Sequence, residues 1–157
     1  MNDQSTVTSW LSQIHPDLAL NEQGFASLVS DEAALVVELP ANTGVCHVFG
    51  VVMPPPEGAA YTLWLQEALR LNLMGKPLFG AWLAYDPEEH ALFLCRNFTV
   101  AHTTAEEFAA GIQEMAGTIV AVRGRLSLDE ETAEELNAEA ALRAKQAESA
   151  RPGAVTA

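Results

Sequence analysis

The 157 residues carry 21 acidic against 8 basic side chains, a formal charge of −13. A surface so acidic repels phosphate backbones and anionic lipid headgroups, which argues against nucleic-acid and membrane partners. Half the residues are apolar and only 18% are charged, which describes a folded domain with a modest core rather than a disordered chain.

The N-terminal segment has no basic stretch followed by an apolar one, and no apolar run reaches the ~20 residues needed to cross a bilayer. The expected location is cytoplasmic. Val7, Trp10, Leu11 and Ile14 recur at i, i+3, i+4 and i+7, predicting a short amphipathic helix over residues 6–14 that ends at His15-Pro16. Three β-rich runs follow, at 24–30, 33–39 and 45–53. Asp31-Glu32 separates the first two, and the stretch Pro40 to Gly44 separates the second from the third. That spacing predicts an antiparallel meander.

After the stiff Pro54-Pro55-Pro56 connector, residues 59–74 lack Gly and Pro and read as a long helix, with Gly75 as its stop and Pro77 blocking continuation. Its apolar arc is too wide for one core. Leu65, Leu69 and Leu73 flank Trp64, and with Trp82 beyond they form the expected homodimer interface. Two strands, 79–85 and 91–98, are joined by the turn Asp86-Pro87-Glu88-Glu89. Thr104 and Glu107 stand at capping-box spacing before Phe108, Ile112, Met115, Ile119 and Val122, which predict a closing helix. Ser127 and Glu130 repeat that spacing. They open an Ala/Glu-rich segment that reads as a polar helix over 126–148, with a disordered tail at 149–157.

The fold class expected is therefore α+β. An antiparallel sheet has helices packed on one face, in the order α-β-β-β-α-β-β-α, within a domain spanning 1–125.

No catalytic constellation emerges. His15, His47, His90 and His102 are isolated, and Cys46 and His47 would point to opposite faces of a strand, so neither metal ligands nor a cofactor site is expected. Cys46 and Cys95 sit in apolar runs and read as reduced core residues. A small enzyme using one of them as nucleophile is the weaker alternative.

The Leu-rich helix with Leu71-Asn72-Leu73 near its end, the glycine-containing break, a strand, the Asp-Pro-Glu turn, a second strand and a closing helix together resemble the Tir-chaperone (CesT-like) family of type III secretion chaperones. The likeness spans residues 7–125 in element order and is sharpest over 63–94. It implies a homodimer without enzymatic activity that binds the extended N-terminal segment of a secreted effector and keeps it soluble and competent for export. It also implies an effector path along the uncovered sheet face and past the first helix, with Trp10, Ile14, Phe25, Leu28, Val36, Val45 and Val48 as contacts. A second reading keeps the fold but makes the partner a transcriptional regulator or another secretion component held out of action.

Overall fold

The computed structural model describes residues 2–73, 76–127 and 130–149. The element order is helix α1 (Asp3–Ile14), strands β1 (Phe25–Ser30), β2 (Ala33–Glu38) and β3 (Val45–Met53), helix α2 (Ala60–Asn72), strands β4 (Trp82–Asp86) and β5 (Ala91–Thr99), then helices α3 (Ala105–Leu126) and α4 (Glu130–Ser149). The strands form one five-stranded sheet in the order β1-β2-β3-β5-β4, with every pairing antiparallel. The α+β class and the expected element order hold.

Local chemistry explains the boundaries. Asn2 caps α1, its side chain accepting the Ser5 N–H at 2.8 Å, so the helix begins three residues earlier than apolar periodicity alone places it. Asp31 and Glu32 both take positive φ, the conformation a two-residue hairpin between twisted strands requires. The strand expected from residue 79 starts only at Trp82. A 3-10 turn occupies Lys76–Leu78, and Phe79 and Gly80 are left-handed. Thr104 and Glu107 form the full capping box of α3. The expected Gly75 stop, residues 128 and 129 of the second capping box, and the tail from residue 150 lie outside the described residues.

Helices α1 and α3 cover one face of the sheet. Val7, Trp10 and Leu11 from α1 meet Phe108, Ile112, Met115 and Ile119 from α3 over Ala26, Leu28, Leu35, Val37, Val48, Val52 and Leu94. Trp10 and Phe98 each pack a ring on Phe108, at centroid distances of 5.2 and 5.0 Å. The core continues to Leu126, one residue past the expected domain limit. Helix α2 seals the β4 end of this layer with Trp64, Ala68 and Leu71.

Arg123 locks α3 to the sheet. Its guanidinium donates to the carbonyls of Val52 (2.6 Å) and Val51 (2.8 Å), where the β3–β5 register shifts, and to that of Glu32 (3.2 Å) in the hairpin. Carbonyls freed by a bulge and a tight turn thereby gain charged donors.

Candidate partner-binding site

The face of the sheet turned away from the helices is apolar through its middle. Strand register aligns Ser27, Val36, Phe49, Cys95 and Trp82 in one row across all five strands. A parallel row places Val51, Phe93 and Ala84 beside it. The Phe49 and Phe93 rings meet edge to face, 6.3 Å apart, in the wall of a shallow depression of about 350 Å³ shared with Ala84 and Pro87. The next row is polar. Glu38 lies opposite His47, and His47 Nδ1 is 2.7 Å from Asn97 Oδ1. A partner is thus offered an apolar band with a hydrogen-bonding margin, the composition expected of an interface core and its rim.

A second feature lies at the outer edge of β1. A cavity of about 450 Å³ opens between the end of α1, this edge and α3, lined by Ile14, Leu18, Leu28, Val29, Ile112 and Gln113 among others. Leu39 N–H donates to Gly24 O. By antiparallel alternation, the peptide groups of Phe25, Ser27 and Val29 therefore face away from β2. Those of Phe25 are taken by Asn21, whose N–H donates to Phe25 O (2.8 Å) and whose Oδ1 accepts from Phe25 N (2.9 Å). Ser27 and Val29 continue the edge beside the cavity.

The residues expected at the partner surface divide between the two sides of the sheet. Phe25 (37% exposed), Val36 and Val45 lie on the open face. Ile14 and Leu28 line the edge cavity. Trp10 and Val48 are in the core beneath α1 and α3, and Val48 has no exposed surface at all. Side-chain alternation is the reason, since Val45 and Val48 are an odd number of residues apart on one strand. Phe49, Val51, Phe93 and Cys95 belong to the open face and were absent from the expected contacts, although alternation in the run 45–53 already groups Phe49 and Val51 with Val45.

The residues expected at the subunit interface divide as well. Leu69 and Leu73 are 61% and 70% exposed, Trp82 is 40% exposed and Leu65 is half-buried. Trp64 is in the core, edge to face with Tyr85, and its indole N–H finds no acceptor among the described residues. Phe79, 61% exposed, adds to the apolar surface at the start of β4.

Neither cysteine is prepared for chemistry. Burial pushes the Cys46 thiol up to about 12, and burial also raises that of Cys95. Both are neutral thiols at physiological pH, whereas a nucleophile requires thiolate. Among the described residues, no helix is long and apolar enough to cross a membrane.

An α+β layer with one helix-covered sheet face, one open apolar face and an accessible strand edge is the frame of a protein-binding module. The chain belongs to the Tir chaperone protein (CesT) family, whose match runs over residues 11–123. That is a family of chaperones, not a class of enzymes. Solved structures share the fold. A chain of the ExsC-ExsE complex superposes with a TM-score of 0.69 at 21% identity, covering 83% of this chain and all of that one. A chain of the HopA1-SchA chaperone-effector complex gives 0.63 at 12% identity, with 77% and 95% covered. The structure of the Yersinia pestis type III secretion chaperone SycH with a stable fragment of YscM2 gives 0.59 at 18% identity, with 77% and 99% covered. No curated protein matches the sequence. Helix α4 lies wholly beyond the region the family covers.

Proposed function

We propose that this protein is a cytoplasmic type III secretion chaperone that holds the N-terminal segment of a secreted effector in extended form until export. The observation that carries the reading is the apolar row across the open sheet face, in a chain of the Tir chaperone family. Such a row, left bare, is an aggregation liability, and a secreted segment supplies its cover. The edge of β1 offers main-chain pairing, while the cavity beside Ile14 and Leu28 accepts a side chain. Affinity then arises mainly from apolar burial, with the acidic surface supplying solubility.

The working form is a homodimer joined through Leu65 and Leu69 of α2 and Leu73 just past its end, with Trp82 and Phe79 at the margin. Support comes from the exposure of Leu69, Leu73, Trp82 and Phe79 beside a helix whose other side is already packed. Leu69→Glu leaves the monomer fold intact, because Leu69 makes no part of the core, and reduces the mass seen by light scattering from about twice 16.8 kDa to that value. An unchanged mass overturns this interface.

The deciding experiment is identification of what co-purifies with the chain from its native host. A secreted protein held by its N-terminal segment, in a complex that weakens little with added salt, supports the chaperone reading. Co-purification with a DNA-binding regulator assigns the sequestering role instead. A complex that dissociates steeply with salt signifies charge-driven association and removes the apolar face as the site.

A further inference from the structure

The two edges of the sheet are not equally open. At the β4 edge, the side chain of Asn72, the last residue of α2, lies against the backbone of Leu83. Asn72 Nδ2 donates to Leu83 O (3.1 Å), and Leu83 N–H donates to Asn72 Oδ1 (2.8 Å), both in a partly buried setting. A carboxamide has the donor and acceptor of a peptide group, so Asn72 occupies the positions a neighbouring strand would take. One residue pair earlier, Ala81 N–H is taken by Leu78 O (2.9 Å). Among the described residues, this leaves Tyr85, next to the turn, as the outward-facing position of β4 without such cover. On β1, Ser27 and Val29 are consecutive outward-facing positions, the minimum on which a strand can register.

We infer that Asn72 is a specificity-determining residue that closes the β4 edge to strand addition, so that an extended segment adds to β1 and not to β4. The identity of that segment rests on the chaperone reading above; the closure itself does not. Closure also dictates how two copies meet. With Leu83 already paired, association at the α2–β4 end proceeds by side-chain packing of Leu69, Leu73 and Trp82 rather than by fusion of two sheets into one.

The test needs no effector. Residue-resolved amide exchange on the full wild-type chain finds Leu83 protected and Ser27 and Val29 exchanging fast. Asn72→Ala speeds Leu83 exchange about tenfold, as expected for an amide that loses its only acceptor. In the Leu69→Glu background, which removes the side-chain dimer contact, it also raises the sedimenting mass above that of Leu69→Glu alone at matched concentration, through β4 edges pairing. Asn72→Asp in the same background keeps the acceptor for Leu83 N–H, adds a charge unwelcome to a second strand, and stays at the mass of Leu69→Glu alone. The inference is overturned if wild-type Leu83 exchanges as fast as Val29, if folded Leu69→Glu/Asn72→Ala keeps the mass of Leu69→Glu alone, or if the Asn72→Asp double variant associates as the Asn72→Ala one does. Should Asn72→Ala not fold, the wild-type exchange and the Asp variant decide. Because no secreted protein enters these measurements, their failure is separable from failure of the chaperone reading.

Discussion

The two faces of the sheet are made from the same strands and nearly the same residue types, yet they have opposite fates. On β3 the inward set is Cys46, Val48, Gly50 and Val52, and the outward set is Val45, His47, Phe49 and Val51; past the bulge, Met53 pairs with Leu92 and packs on the core. Both are rich in β-branched or aromatic residues, so hydrophobicity alone does not mark which is core. What separates them is fit. Gly50 is glycine because a Cβ there would stand 2.6 Å from Ala34 O and 2.8 Å from the side chains of Ile119 and Leu35. The covered face is matched to α3 at the level of single methyl groups, while the open face has large side chains and depressions. A core repels change in volume or charge, whereas a docking surface tolerates it in the free protein and registers it on binding.

The sharpest way to break this contrast is to place a carboxylate on each face in turn. Val48→Asp buries an unpaired charge among α1, α3 and the sheet, at a cost on the order of 3–5 kcal/mol, and abolishes cooperative thermal unfolding. Val36→Asp lies on the open face, leaves the unfolding transition within about 1 kcal/mol of wild type, and weakens partner binding. Equal stability losses would mean that the open face is covered in the free protein.

A smaller effect probes the fit itself. Gly111 lets α3 approach Phe98: a Cβ there would lie 2.6 Å from Phe98 Cζ and 2.8 Å from Cε1. Alanine is a better helix former than glycine by about 1 kcal/mol, so an exposed site would gain from the change. Here the displaced aromatic ring is itself buried between Phe108 and the sheet, and Gly111→Ala lowers the unfolding midpoint by an overpacking penalty of about 1–3 kcal/mol. Gly117, with nothing within 4 Å of such a Cβ, is the matched control and gains stability.

How much of this was legible in advance follows from which interactions are local in sequence. Periodicity and turn chemistry locate every described α-helix and strand but not the 3-10 turns, because Asp31-Glu32, Pro40 to Gly44 and Thr104–Glu107 act within a few residues of themselves. The strand expected over 79–85 begins late, at Trp82, because Phe79 and Gly80 adopt left-handed backbone that residue type does not announce for a phenylalanine. The faces were harder. A strand apolar on both alternations gives no sign of which side the helices cover, and a shift of one residue exchanges them, which is why Val48 falls in the core and not on the surface. Trp10 is on α1, where it shares the buried stripe of Val7 and Leu11. Arg123 on the bulge and Asn72 on Leu83 are long-range uses of side chains whose partners no spacing rule reaches.

Helix α4 stands apart from the family domain, which ends at residue 123. This helix touches the rest of the chain near the start of α2, which lacks a side-chain cap of its own. Asn137 Oδ1 accepts the Ala59 N–H at 2.9 Å, supplying that cap from another helix. The surrounding side chains of α4 from residue 137 to 147 are exposed. Truncation after Ser127, which keeps the buried Leu126, is expected to preserve cooperative unfolding while costing what a lost cap costs, about 0.5–2 kcal/mol. Asn137→Ala reproduces most of that loss and Asn137→Asp restores it. A truncation that unfolds the chain would make α4 part of the domain.

The smallest expected effect tests the electrostatic seam between α2 and α3. Glu67 Oε1 accepts from Arg125 Nε at 2.6 Å and Glu67 Oε2 from Arg70 Nε at 2.7 Å, so one carboxylate joins the two helices. Hydrogen bonds from Arg70 and then Arg125 hold its carboxyl down at about 2, against an ordinary 4.5. A carboxylate with a depressed folded-state pKa contributes stability above its unfolded value, and loses it as pH falls through the folded one. The contribution is therefore whole at pH 7 and declines from about pH 4.5 toward about pH 2. Its size is limited because the pair is at the surface: solvent screening holds it under about 1 kcal/mol, and added salt erodes it further. Glu67→Gln accordingly lowers the unfolding midpoint slightly at pH 7 and low salt, and the difference from wild type closes on acidification toward pH 2. A difference that stayed constant over that range would show that Glu67 acts through packing of its stem on α2 and not through its charge.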